Sequence, residues 1–126
     1  MIPQTAESDP ENAALGSRDL PKECLLLRIF LGEDDEYQRR PLYKAIVTRA
    51  RELGLAGATV LRGRMGFGRS QRLHNASILR LSFDLPMILE IVDTTEKIEA
   101  FLPELKKMMR RGLMTVERAQ IIRYQG

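Results

Sequence analysis

The 126-residue sequence holds one cysteine, one histidine and no tryptophan, and only 6% of its residues are aromatic. A lone Cys24 excludes an intramolecular disulfide and a multi-cysteine zinc site. With His74 as the single imidazole, a protein-built transition-metal centre is not expected, because such metals want several nitrogen or sulfur ligands. No apolar run reaches the roughly 18 residues of a membrane span. The N-terminus lacks a basic segment followed by an apolar stretch, so no signal peptide is expected and a cytoplasmic location is.

What is present is an ordinary folding chain. Hydrophobic residues make up 44% and charged residues 29%, enough for one domain with its own core and no covalent staple. The net charge of +3 averages two unlike parts. Residues 1–23 carry two basic and five acidic side chains, a net −3; residues 24–126 carry eighteen and twelve, a net +6. Residues 1–22, with three prolines and no lasting periodicity, read as a disordered acidic tail before a folded domain over 23–126.

Cys24-Leu-Leu-Leu-Arg-Ile-Phe-Leu31 has the length of a buried strand and runs into Gly32 and four acidic residues, read as a solvated turn. Pro41 suits a first helical position, Leu42, Ala45, Ile46, Ala50 and Leu53 follow at helical spacing, and Gly54 supplies the stop. A second strand is expected from Ala58 to Arg62, continuing toward Met65. Residues 78–83 and 87–92 are two apolar runs, between which Pro86 marks a break, a bulge or a strand edge. Asp93 with Glu96 resembles a capping pair for a helix bearing Ile98, Phe101, Leu102, Leu105, Met108 and Met109, with a kink or late start expected at Pro103. Lys106, Lys107, Arg110 and Arg111 crowd the last turns before Gly112, and a closing strand is expected from Leu113 to Tyr124. The order predicts an α+β ferredoxin-like βαββαβ sandwich, an antiparallel sheet with two helices on one face.

The stretch from Arg62 to Arg72 holds three glycines, four arginines and no acid. Glycine lets backbone N–H groups approach a phosphate, and guanidiniums fork onto its oxygens. The same composition also fits a solvated hairpin connection. No nucleotide-binding glycine fingerprint is present. Gly66-Phe67-Gly68 resembles the glycine–aromatic motif of RNA-recognition modules, but the further aromatics that stack bases are missing, so nucleic acid is not expected as a partner. The second basic cluster, Lys106, Lys107, Arg110 and Arg111, reads either as dipole compensation or as a second arm of a phosphate site beside Gly112. Glu33, Asp34 and His74 offer a rival reading, an enzyme or metal-handling site, and no nucleophilic triad can be assembled around Cys24 or His74.

Several segments in order carry a family resemblance: Leu27-Arg-Ile-Phe-Leu-Gly-Glu33, Pro41-Leu-Tyr43, Gly54-Leu-Ala-Gly-Ala-Thr-Val-Leu-Arg-Gly63, Gly66-Phe-Gly68, Leu85-Pro86, Glu90-Ile-Val-Asp93 and Gly112-Leu-Met-Thr-Val-Glu117. Together they resemble the PII-like family of unknown function, domain of unknown function 190, within the nitrogen-regulatory PII-like superfamily. The resemblance runs from about Cys24 to Tyr124. It implies a non-enzymatic, cofactor-free homotrimer that signals by binding an adenine nucleotide or similar small anion between subunits. A mobile loop, here residues 63–76, then implies regulation of a partner, either a membrane transporter or an ion channel; a fluoride channel is indicated by gene association. On that reading Arg62, Gly63, Arg64, Gly66 and Gly68 line one side of the ligand, and Arg110, Arg111 and Gly112 the other. Phe67, Arg69, Arg72 and His74 face the partner. The loop is short for a PII protein, lacks the modifiable tyrosine, and keeps only Gly112 of the glycine-rich turn before the last strand. A trimer with no ligand, serving only as structure, is the third alternative.

Overall fold

A computed structural model of the protein describes residues 20–66, 74–75 and 84–122. The expected tail over 1–19, the apolar run 78–83, the loop residues Phe67, Gly68, Arg69 and Arg72, and the expected strand end at Tyr124 lie outside the described residues.

The apolar run of residues 24–31 lies in strand β1 (Glu23–Gly32), in which Leu27, Ile29 and Leu31 are buried and the residues between them only half so. Two short strands, β2 (Glu36–Tyr37) and β3 (Arg40–Pro41), pair with each other before helix α1 (Leu42–Glu52). Strand β4 (Thr59–Arg62) follows, then the short pair β5 (Met65–Gly66) and β6 (His74–Asn75). Strand β7 (Pro86–Asp93), helix α2 (Thr95–Met108) and strand β8 (Leu113–Gln120) complete the chain.

The main sheet has the order β4-β7-β1-β8, every neighbour antiparallel. The connections β1–α1–β4 and β7–α2–β8 interleave, which is the ferredoxin-like arrangement predicted above. Because strand side chains alternate, Leu27, Ile29, Leu31, Met87, Leu89 and Ile91 share one face. Both helices cover it: Leu42, Ala45, Ile46 and Ala50 of α1 and Ile98, Phe101, Leu105 and Met108 of α2 join the same core. The spacing of those residues is the helical apolar stripe that the sequence displays. The other face carries Leu26, Arg28 and Phe30 of β1 and Ile88, Glu90 and Val92 of β7, half-buried, and among the described residues no helix lies over them. On that bare face Arg28 pairs with Glu90 at 2.9 Å.

Four local expectations change and a fifth sharpens. The strand expected to continue toward Met65 stops at Arg62, because Gly63 turns away and β5 pairs with β6 rather than with the main sheet. Pro41 is the residue before the helix, in extended backbone, rather than its first residue; Gly54 follows at φ 76° as expected. The cap of α2 is Thr94, whose Oγ1 accepts from the Lys97 amide at 3.1 Å, not Asp93. Asp93 instead ends β7, fully buried, its two oxygens accepting from the amides of Ala56 at 2.8 Å and Thr94 at 2.7 Å. Helix α2 runs on through Pro103 without the expected late start; Pro103 and Glu99 are exposed, so the carbonyl deprived of its donor lies on the side open to water. Pro86, expected to mark a break, a bulge or a strand edge, is the first residue of β7, a place where a missing donor is tolerated. Among the described residues no helix is long and apolar enough to cross a membrane.

Candidate functional site

Sheet register sets the two basic arms apart. Arg62 pairs with Met87, Met87 with Leu31, and the adjacent Phe30 with Leu113, so Arg62 and the turn before Leu113 stand at the same end of the sheet on its opposite edges. Three strand spacings separate the edges, about 14 Å. Arg110 and Arg111 lie beyond the end of α2, in the turn that leads into β8, so they are not part of the last helical turn as the dipole reading required. Lys106 and Lys107 alone hold that place.

In the turn over residues 33–35 the expected solvation holds for Asp34, which is exposed, while the carboxylates of Glu33 and Asp35 are engaged. The Arg62 Nη2 lies 3.0 Å from Glu33 Oε1 and 2.9 Å from Oε2, bridging both oxygens. The Arg111 Nη2 donates to Asp35 Oδ1 at 3.2 Å, while Asp35 Oδ2 accepts from the Gly32 amide at 2.9 Å. The Asp34 amide donates to Asp84 Oδ1 at 2.9 Å, and the Glu33 amide to the Leu85 carbonyl at 2.8 Å. One turn at the end of the central strand thus holds an arginine from each edge. Arg64 and Arg110 are exposed beside it. The acid–base or metal reading of Glu33 and Asp34 gains no geometry from this arrangement: Glu33 faces a guanidinium, and among the described residues no group of three or more His, Cys, Asp or Glu side chains could hold a metal ion. The backbone of His74 pairs with that of Gly66.

Two of the glycines have structural explanations. A Cβ on Gly63 would lie 2.7 Å from Pro86 Cγ, and the Gly63 amide already donates to the Pro86 carbonyl at 2.7 Å. Its smallness therefore serves the approach of the loop base to β7, and its N–H is not available to a phosphate. Gly66 also packs on the Pro86 ring. Gly112 sits at φ 121°, and a Cβ there would lie 2.8 Å from the Phe30 carbonyl oxygen, so only glycine lets the turn bearing Arg110 and Arg111 close onto β1.

A groove of about 230 Å³ opens elsewhere, between the β2–β3 pair and the two helices, lined among others by Tyr37, Arg40, Thr48, Arg49, Glu52 and Glu104. Of the residues that the sequence offered for a site, Lys107 of the second basic cluster lines it, and neither Arg62 nor Arg110, Arg111 or Gly112 does. Arg49 within it donates to Glu104 at 3.0 Å and Glu52 at 3.1 Å, bonds that raise its pKa and neutralise its charge locally. Cys24 is buried, its thiol donating to the Pro21 carbonyl at 3.4 Å, and burial raises its pKa, with Asp93, Glu23 and Glu96 adding to the rise. It is not a nucleophile candidate.

What reading the sequence missed is Asp35 and the ion pairing of the acidic turn. Its partners are 29 and 76 residues away, and no local pattern links them. The only signal was the juxtaposition of an acidic group after one strand with two basic groups before and after others.

Residues 24–121 match the family model DUF190, described as an uncharacterized conserved family. A UPF0166 protein of Aquifex aeolicus is 41% identical over 97 residues, covering 77% of this chain and 91% of that protein. Among solved structures, a putative PII-like signaling protein from Thermus thermophilus superposes with a TM-score of 0.58 at 19% identity, covering 79% of this chain and 90% of that one. CPII from Thiomonas intermedia K12, a nitrogen regulatory PII-like protein solved with ADP, AMP and bicarbonate, superposes with a TM-score of 0.55 at 17% identity, covering 80% and 90%.

Proposed function

Because the chain belongs to the DUF190 family and has the PII-like fold, we propose that it is a non-enzymatic signalling protein that binds an adenine nucleotide or similar small anion between the subunits of a homotrimer. The observation that carries this reading is the placement of the two basic arms. A single chain holds them at opposite edges of one sheet end, with the acidic turn between them. Where the β4 edge of one copy meets the β8 edge of the next, Arg62 and Arg64 of the first face Arg110 and Arg111 of the second. Four guanidiniums then converge on one anion.

The bare sheet face supports assembly. Leu61 and Leu113 are about half exposed and share that face with Phe30 and Ile88, an apolar surface that a second copy covers. The bound ADP and AMP of the Thiomonas protein support the choice of nucleotide class. The loop over residues 63–76, whose base at Gly63 and Gly66 is packed on Pro86, is the element that answers the ligand and addresses a partner. A membrane transporter or ion channel is the partner class this reading takes from the family. An order–disorder change of the loop needs only that the ligand bind one loop state better than the other.

The test is calorimetric titration with AMP, ADP, ATP and cyclic nucleotides, with the mass in solution measured by light scattering. We expect a trimer, saturable binding and no product. Replacing Arg110 and Arg111 by Ala is expected to weaken binding by on the order of tenfold or more, since a charged hydrogen bond contributes roughly 1.5–3 kcal/mol. A monomer that binds none of the nucleotides overturns the proposal, and unchanged affinity removes those arginines from the site.

A further inference from the structure

The ion pairs at the acidic turn have an asymmetry. The carboxylates are sheltered and fixed: the Asp35 side chain is 10% exposed and Glu33 22%, while the guanidiniums of Arg111 and Arg62 are 66% and 58% exposed. The turn is pinned by backbone bonds from Gly32 to Asp35, from Glu33 to Leu85 and from Asp34 to Asp84. In each pair, then, the arginine is the half able to swing. Arg62 spans both oxygens of Glu33, and Arg111 holds Oδ1 of Asp35 while Oδ2 takes the Gly32 amide; the same guanidinium N–H groups bond phosphate oxygens.

We propose that residues 33–35 act as an internal competitor for the anionic ligand, parking Arg62 and Arg111 on Glu33 and Asp35 until an anion takes them. This rests on the anion-binding reading above and adds a regulatory element to it that lies outside the loop of residues 63–76. Local charge supports it. Arg62, Arg64, Arg110 and Arg111 stand against Glu33, Asp34, Asp35 and Asp84, so the ligand-free site is close to neutral, and an anion must win its arginines from carboxylates rather than from water. The exchange replaces one charged partner by another, which keeps the site shut to weak anions while costing little for a multiply charged one. It also frees the turn's carboxylates, and the turn is joined to the next elements through the Asp35 carbonyl, which accepts from the Leu42 amide at 2.7 Å. Ligand binding at the sheet end is thereby felt at the start of α1.

The experiment compares ADP and AMP binding by calorimetry at low salt in the full chain and in Glu33→Gln, Asp35→Asn and the double variant, each first checked by thermal unfolding. Both replacements keep an oxygen acceptor and remove the charge. Each single change is expected to raise ADP affinity about two- to fivefold, the size of one partly exposed ion pair, and the double change more. Binding confined to the variants supports competition in its strongest form. Affinity that is unchanged or lower in the variants, with the parent chain binding, overturns the competitor and leaves the nucleotide reading standing, because carboxylates that merely position the arginines give that sign. No binding by parent or variants overturns both. Among the described residues the Glu33 side chain takes no backbone bond, so Glu33→Gln decides the question even if Asp35→Asn fails to fold.

Discussion

At one end of the sheet the Asp93 carboxylate, wholly buried, accepts from two backbone amides; at the other, the carboxylates of Glu33 and Asp35 meet guanidiniums that are more than half exposed. The acceptor group is the same and its donors are not. Backbone amides cannot leave without unfolding the loop over 53–58 or the start of α2, so at the Asp93 end the carboxylate is part of the architecture. Arginine side chains can leave at the cost of a partly exposed ion pair, roughly 0–1 kcal/mol, so at the other end the same chemistry is exchangeable. A carboxylate's role follows from what its donors are tied to.

The sharpest way to break this contrast is to remove the fixed carboxylate. Asp93→Ala takes the acceptor from the part-buried amides of Ala56 and Thr94 and empties a fully buried side-chain site, and we expect a loss of about 3 kcal/mol in denaturant unfolding. A loss below about 1 kcal/mol would make the two ends equivalent.

The next effect lies at the exchangeable end, in its backbone. Gly112→Ala drives a Cβ against the Phe30 carbonyl and forces a residue with a side chain to φ 121°, for an expected cost of about 1–3 kcal/mol in thermal unfolding. It is also expected to displace Arg111 from Asp35, seen as a changed affinity for ADP. Retained stability would mean that the turn tolerates movement, and that the arginines alone are not its mobile part.

The smallest effect returns to the Asp93 end, where Cys24 lies at the start of β1. Its thiol has a raised pKa in the folded chain, chiefly from burial, so the unfolded thiol ionises first, near its ordinary value of about 9. The stabilisation it contributes is whole below that pH and is lost as pH rises toward the folded value. Denaturant unfolding between about pH 8 and 10 is expected to show this decline in the parent chain and its absence in Cys24→Ala. Parallel pH curves would mean that the thiol meets solvent, contrary to its burial.

The strands and helices were legible because each is written locally. Residues 24–31 are an apolar run of strand length that a glycine and acidic turn ends, and α1 carries its stripe and its stop at Gly54. The β2–β3 pair was not, because its turn places Gln38 at φ 51° and Arg39 at φ 66°, conformations that the usual Asn-Gly signal announces and these side chains do not. Asp93 looked like a cap because capping and strand-end carboxylates share a spacing to the helix; only the fold decides which amide comes close. The candidate arginines were legible as charge, and their parking on Glu33 and Asp35 was not, since that pairing exists only once the order β4-β7-β1-β8 has brought three distant segments to one end. Gly63 and Gly66 were legible as small residues, and the Pro86 ring that requires them lies about 20 residues downstream.

That strand order also bears on how the protein is made. Strand β1 is synthesised about 60 residues before its neighbour β7 and about 90 before its other neighbour β8. At about 5–20 residues per second, its Leu27, Ile29 and Leu31 wait roughly 3 to 12 s for β7 with both edges unpaired, and roughly 4 to 18 s for β8 to cover the second edge. The central strand is therefore the one that a cell must keep from pairing with another nascent chain, and Arg28 in its middle is a charge well placed to discourage that.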